Sequence, residues 1–200
     1  MEVNEGKPNN LGGGIRFFLK ETFNIIDDTD VNATIDDIKA GVPIKGQTAW
    51  VLIFSILIAS AGLNTSSTAV VIGAMLISPL MGPIMGIGLS LGINDIFLLR
   101  KAVNNFGIMV VLSLITSFLY FSIPVFQNET PELIARTAPD VRDVIIAFAG
   151  GLALIIAFSR RSKAITTISG VAIATALMPP LCTAGFGLAT GKWHFFGGAM

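Results

Sequence analysis

The residues here whose type and spacing bear on chemistry stand beside prolines. Ser78, Pro79, Gly82 and Pro83 fall in the middle of an uncharged apolar run, residues 63–94. The central stretch reads Ile72-Gly73-Ala74-Met75-Leu76-Ile77-Ser78-Pro79-Leu80-Met81-Gly82-Pro83. Proline removes an amide donor and crowds the preceding turn, so a helix kinks or unwinds at this point. A broken helix leaves carbonyls free at the end of its first half and amides free at the start of its second. Freed amides suit an anion or carboxylate. Freed carbonyls with the Ser78 hydroxyl suit a cation such as sodium. The competing reading is that Ser78 only rebonds a carbonyl that a proline has released.

The same pattern returns 97 positions on (170 − 73 = 97), as Gly170-Val171-Ala172-Ile173-Ala174-Thr175-Ala176-Leu177-Met178-Pro179-Pro180. Without a gap, Gly73 falls on Gly170, Ser78 on Thr175, Leu80 on Leu177, Met81 on Met178, Pro83 on Pro180, Gly88 on Gly185 and Leu91 on Leu188. An internal repeat explains this register; the alternative is two unrelated kinked helices of like composition. The candidate substrate or ion site is therefore Ser78, Pro79, Gly82 and Pro83 with Thr175, Pro179 and Pro180. Pro83 and Pro180 fit the opening turn of a second half-helix, where a missing N–H matters least.

Other chemistry is sparse. Cys182 is the one cysteine, which excludes a disulfide within the chain and any metal spacing. It reads as a packing residue, since no histidine or acid stands ready to activate it. There is no phosphate loop, nucleic-acid motif or zinc pattern. Without a catalytic constellation an enzyme is not expected, nor any cofactor beyond sodium or another ion. No Asp, Glu, Lys, Arg or His falls inside an expected span. Proton-driven transporters usually place a titratable group at membrane depth. That leaves sodium coupling, an uncoupled channel, or acids supplied by another part.

The elements that must hold these residues are membrane helices. The chain is 52% hydrophobic and 13% charged, with a formal net charge of zero and a mean hydropathy of +0.75. Such values exclude a soluble globular domain and imply no polyanion partner. A straight crossing takes about 20 residues. The expected spans are residues 48–62, entered at Trp50; the broken helix, 69–93; 103–126, preceded by Arg100 and Lys101; 144–158; and a second broken helix, 165–190. Trp193-His194-Phe195-Phe196 opens a sixth apolar stretch too short to cross, so a fragment of a longer protein is expected.

The division is thus an N-terminal segment (1–47), a first repeat (48–126), a polar loop (127–143) and an incomplete second repeat (144–200). In the N-terminal segment Ile15, Phe18, Leu19, Phe23 and Ile26 recur at helical spacing, as an interfacial helix or one packed on a partner domain. A short helix follows, with Asn32 or Thr34 as N-cap and Asp36 and Asp37 in its first turn. No cleavable signal peptide is visible.

Lys39, Lys45, Arg100, Lys101, Arg160, Arg161 and Lys163 fall on one side of this plan, and Arg136, Arg142 and Lys192 on the other. The bias places the N-terminus in the cytoplasm of a multi-pass cell-membrane protein. Three spans per repeat, an odd number, then make the repeats inverted, an arrangement common in secondary transporters. Gly82-x-x-x-Gly86, Gly88-x-x-x-Gly92 and Gly187-x-x-x-Gly191, with Gly73, Gly170 and Gly185, are expected to let helices pack within or between subunits. A homo-oligomer in the lipid bilayer follows. Asn64, Asn104 and Asn105 are expected to cap or to bond between helices.

Ile58-Ala59-Ser60-Ala61-Gly62-Leu63-Asn64, the run from Ser67 to Ile84, and Gly92-Ile93-Asn94-Asp95 closely resemble a bacterial and archaeal family of hydrophobic membrane proteins, domain of unknown function 389. The resemblance covers residues 33 to the end and implies relatives that continue past Met200. It carries no catalytic or ligand residues over. Two functions stand: a transporter or channel for a small solute or ion at the paired breaks, or a non-transporting scaffold or sensor that oligomerises through its glycines.

Overall fold

The computed structural model describes residues 30–138, 141–159 and 166–199, the side chains of 142, 143, 154 and 157–176 excepted. All regular structure among them is helical. The order is α1 (Val31–Gly41), α2 (Gly46–Asn64), α3 (Thr68–Ile77), α4 (Met81–Gly92), α5 (Ile96–Phe121), a 3-10 turn (Pro124–Phe126), α6 (Pro131–Ala135), α7 (Val141–Ser159), α8 (Thr166–Thr190) and α9 (Trp193–Ala199).

α2 is apolar on every side, as a helix between protein and lipid must be. Its inward stripe is Leu52, Ser55, Ile56, Ala59, Ser60 and Leu63, while Trp50, Phe54 and Ile58 stay exposed. α5 shows the same division, with Ala102, Met109, Ser113, Ser117 and Phe121 inside and Ile108, Val111, Ile115 and Leu119 outside. Among the described residues, α2 and α5 are long and apolar enough to cross a membrane, and α3 with α4 make a third if counted as one bent span. Shorter apolar segments lie in α7 (Val144–Ala153) and α8 (Leu177–Thr190).

Long-range contacts fix which ends lie together. Thr130 donates from Oγ1 to the Leu63 carbonyl at 2.7 Å, Thr68 from Oγ1 to Glu132 Oε1 at 2.8 Å, and Lys192 pairs with Glu129. One end of the bundle therefore gathers the α2–α3 turn, the end of α5, α6 and the α8–α9 turn. At the opposite end Asn105 donates from Nδ2 to the Val42 carbonyl at 3.0 Å. Val42, Leu98 and Ala102 form a small buried cluster there. It follows that α3–α4 and α8 run in opposite directions.

Several boundaries differ from the sequence reading. α1 is capped by Asp30, which accepts from the Ala33 amide at 3.1 Å, and not by Asn32 or Thr34. Asp36 and Asp37 consequently fall past its first turn. α5 begins at Ile96 instead of residue 103, because Asp95 caps it by accepting from the Leu98 amide. Arg100 and Lys101 are thus exposed residues of its first turns, where long side chains reach water. The amphipathic stretch 15–26 and the basic residues Arg160, Arg161 and Lys163 lie outside the described residues.

Candidate functional site

α3 ends at Ile77 and α4 begins at Met81, so residues 78–80 lie between two helices. Ser78 has an extended backbone (φ −71°, ψ 129°), the conformation that a following proline imposes. α3 and α4 meet there at 60°. The main chain rebonds part of what the prolines release. Pro79 has no N–H for the Met75 carbonyl, which accepts instead from the Ser78 amide at 3.1 Å, while the Pro79 carbonyl accepts from Gly82 at 3.4 Å. α4 starts with no side-chain cap on its opening amides.

The second proline pair behaves otherwise. Pro179 and Pro180 lie inside α8, which is continuous from Thr166 to Thr190. The expected second break is not present in the backbone. A proline's absent amide leaves the carbonyl four residues back without its donor, here those of Thr175 and Ala176. The Thr175 and Gly170 side positions lie outside those described.

The two proline stretches nevertheless share one environment. Met75 and Leu80 from the first, and Met178, Leu181 and Cys182 from the second, belong to one buried cluster with Leu52, Ile56, Ala59 and Leu63 of α2. Side chains fill this junction. Leu80 and Met178 are fully buried and occupy the space, and Pro83 and Pro179 are buried too. Two grooves lie elsewhere. One of about 760 Å³ runs along the outer face of α5 past Asn104, Gly107 and Ile108. One of about 320 Å³ lies among Ile38, Met85, Gly88 and Ile155.

What singles out this junction is its hydroxyl groups. A serine or threonine in a helix satisfies itself on a carbonyl three or four residues back. Ser55 bonds Leu52 at 2.9 Å, Ser90 bonds Ile87 at 2.8 Å, Ser113 bonds Met109 at 2.8 Å and Thr116 bonds Leu112 at 2.8 Å. Ser117 reaches across from α5 to the Cys182 carbonyl of α8 at 2.8 Å. Ser60, Ser78 and Thr183, all buried, make no such bond. They come from α2, the α3–α4 break and α8, three elements that pack on one another. A buried polar group without a partner costs about 1–3 kcal/mol. Ser78 therefore does not rebond a proline-released carbonyl. Ser60 and Thr183 escaped the sequence reading, since nothing in a sequence tells a self-bonded helical serine from an orphaned one.

The glycines sort by what a side chain would meet. A Cβ at Gly82 would fall on the Gly41 carbonyl, at Gly86 on the Val42 side chain, at Gly185 on Ser117, and at Gly187 on α9 near Phe196. These four admit close neighbours within the chain. Gly73, Gly88 and Gly92 face open space, and Gly191 serves a turn (φ +70°). Asn105 does bond between elements, to the Val42 carbonyl.

Apolar helices long enough to cross a bilayer define a helical membrane protein. The chain belongs to the family described as domain of unknown function (DUF389), whose model matches residues 75–200. It is also 31% identical over 143 residues to an uncharacterized protein of Methanocaldococcus jannaschii, an alignment covering 72% of this chain and 43% of that protein. The chain thus spans less than half the length of that relative. No solved structure matches it.

Proposed function

We propose that this chain forms part of a membrane carrier or channel for a small solute or ion, with its site where the α3–α4 break packs on α8. The observation that carries this reading is the set of three buried hydroxyls at that junction, Ser60, Ser78 and Thr183, that make no hydrogen bond. A fold that leaves such groups unpartnered gains when a ligand or water supplies the missing bond. Opposed directions of α3–α4 and α8 set the start of α4 and the proline-released carbonyls of α8 on a common core, as in carriers built from discontinuous helices. Lys39, Lys45, Arg100 and Lys101 at the α1 end support a cytoplasmic N-terminus in the cell membrane. No catalytic role is assigned to any residue.

The test is flux into liposomes holding the protein, screened over small neutral solutes, sodium and other ions. For a substrate carried by the unaltered protein, Ser78→Ala with Thr183→Ala lowers flux by about tenfold or more, the loss of one or two hydrogen bonds. The helical signal stays unchanged. Flux indifferent to both substitutions removes the site.

A second reading has its own support. Leu80 and Met178 fill the junction, and Gly73, Gly88 and Gly92 present open faces. A non-transporting scaffold that oligomerises through these glycines accounts for both. Cross-linking between copies through Gly88→Cys, with no flux of any tested solute, favours it.

A further inference from the structure

α5 carries two adjacent asparagines with different fates. Asn105 turns inward and donates to the Val42 carbonyl at 3.0 Å. Asn104 is exposed, and no described residue bonds its amide. α2, 19 residues and about 28 Å long, marks the depth of a crossing. Tyr120 stands beside Asn64 at the α6 end of α2. Asn104, about 24 Å from Tyr120 along α5, therefore falls inside that depth, near its α1 margin. Lipid there offers nothing to the donors and carbonyl of an amide. Asn104 lies in the groove of about 760 Å³, with Gly107, Ile108, Val111 and Ile115. A Cβ at Gly107 would meet nothing within 4 Å, so this glycine is not spent on packing within the chain. From Asn104 the exposed residues Ile108, Val111, Ile115 and Phe118 follow at steps of four, three, four and three. That is the 3.5-residue repeat of helices that pair along a seam. Valine and isoleucine hold one rotamer in a helix, so this ridge loses little freedom when covered. The outward face of α2 differs: Trp50, Val51, Phe54 and Ile58 are all large, with no glycine or amide among them.

We propose that the outward face of α5 is the contact between two copies of this chain, paired about a twofold axis, with Asn104 exchanging amide hydrogen bonds with the partner's Asn104. Copies of one membrane protein share one orientation, so their α5 helices meet parallel and Asn104 meets its counterpart at equal depth. The positive NH2 edge of each amide then faces the negative carbonyl edge of the other, and both are satisfied at once. A different partner would have to bring a polar group of its own to that depth. Gly107, one turn along, lets the two main chains approach, and an asparagine within a seam fixes its register. Lys101, one turn the other way, ends the seam, because two lysines repel and their long side chains turn to water. None of these residues belongs to the α3–α4 junction, so the pairing is independent of carriage.

The test is association in a bilayer. The full chain, carrying one fluorophore at its N-terminus, is placed in liposomes at falling protein-to-lipid ratio, and dimers are counted by single-molecule photobleaching. The unaltered protein passes from dimer to monomer on dilution. Asn104→Leu and Gly107→Leu each weaken pairing by about fivefold or more, as the loss of an interhelical hydrogen bond or a close approach requires. Asn104→Gln, which keeps the amide, weakens it less than Asn104→Leu. Asn104 holds nothing in its own chain and Gly107 faces open space, so neither substitution threatens the fold. In a Cys182→Ala background, Ile108→Cys and Val111→Cys join two copies under oxidant, and Ile58→Cys on α2 does not. Monomers at every dilution, or dimers indifferent to both leucine substitutions, overturn the pairing. Cross-linking no stronger at 108 and 111 than at 58 does so too. Copies joined through Gly88→Cys but not through Ile108→Cys move the contact to α4 and overturn it. Monomers that keep a lipid in native mass spectrometry, and lose it with Gly107→Leu, give the groove to an acyl chain instead.

Discussion

Gly82 is the position where a single methyl group tests the docking of α1 against the broken helix. A Cβ there would fall on the Gly41 carbonyl oxygen, with the Gly41 carbonyl carbon at 2.9 Å, so main chain blocks it. Backbone cannot rotate aside as a side-chain tip can. α1 must lift from α4, and Val42 goes with it, out of its place beside Gly86 and Ala102. The Asn105 bond to the Val42 carbonyl, 3.0 Å long, is strained or lost. Overpacking of a tight contact costs about 1–3 kcal/mol and the hydrogen bond about 1 kcal/mol. Alanine returns at most about 1 kcal/mol through helix propensity. The net expectation for Gly82→Ala is a loss of about 2 kcal/mol.

Two substitutions of the same size bracket that value. A Cβ at Gly41 would stand 3.7 Å from the Gly82 Cα, an ordinary contact, and one at Gly73 meets open space. Gly41→Ala should thus be near neutral, and Gly73→Ala should gain up to about 1 kcal/mol. Unfolding by SDS titration in mixed micelles, followed by circular dichroism, gives all three values on one scale. Should Gly82→Ala match or exceed the stability of Gly73→Ala, α1 is not seated against α4 and the docking described above is wrong.

Two further outcomes concern the α6 end. Thr130 caps α6 and donates to the Leu63 carbonyl at 2.7 Å while itself buried, so Thr130→Val, which keeps the shape, should cost about 1–3 kcal/mol in the same titration. The Lys192–Glu129 pair is close to half-exposed on both sides (46% and 43%), so Lys192→Gln should change stability by no more than about 1 kcal/mol, less at high salt.

Much of the plan can be read from residue order because membrane segments announce themselves. α2, the break at Ser78-Pro79 and the apolar stretch of α5 stand out, since lipid demands long uncharged runs and proline acts locally. Features set by partners far along the chain do not. Asp30 takes the cap of α1 although Asn32 and Thr34 are equally able by type, because the choice depends on where the chain arrives. Gly82 and Gly86 form a small-residue pair on any reading, but only the fold shows that Gly41 and Val42 fill them. Ser60 is chemically indistinguishable from Ser113 in the sequence. One is buried unpartnered and the other bonds back to Met109.

The unequal fate of the two proline pairs has the same origin. Pro79 forces Ser78 out of the helix, and Pro83, four residues later, falls in the opening of α4, so the segment between them is free to turn. What holds it turned is α1, whose end sits against Gly82 and Gly86. Pro179 and Pro180 are adjacent, which confines the loss of amides to neighbouring positions. α8 is also gripped along its length beyond them, by Ser117 on the Cys182 carbonyl and by the edge-on rings of Phe121, Phe186 and Phe195, 5.1 Å apart at each step. α3–α4 bends where a docked helix rewards bending, and α8 stays continuous where its neighbours grip it.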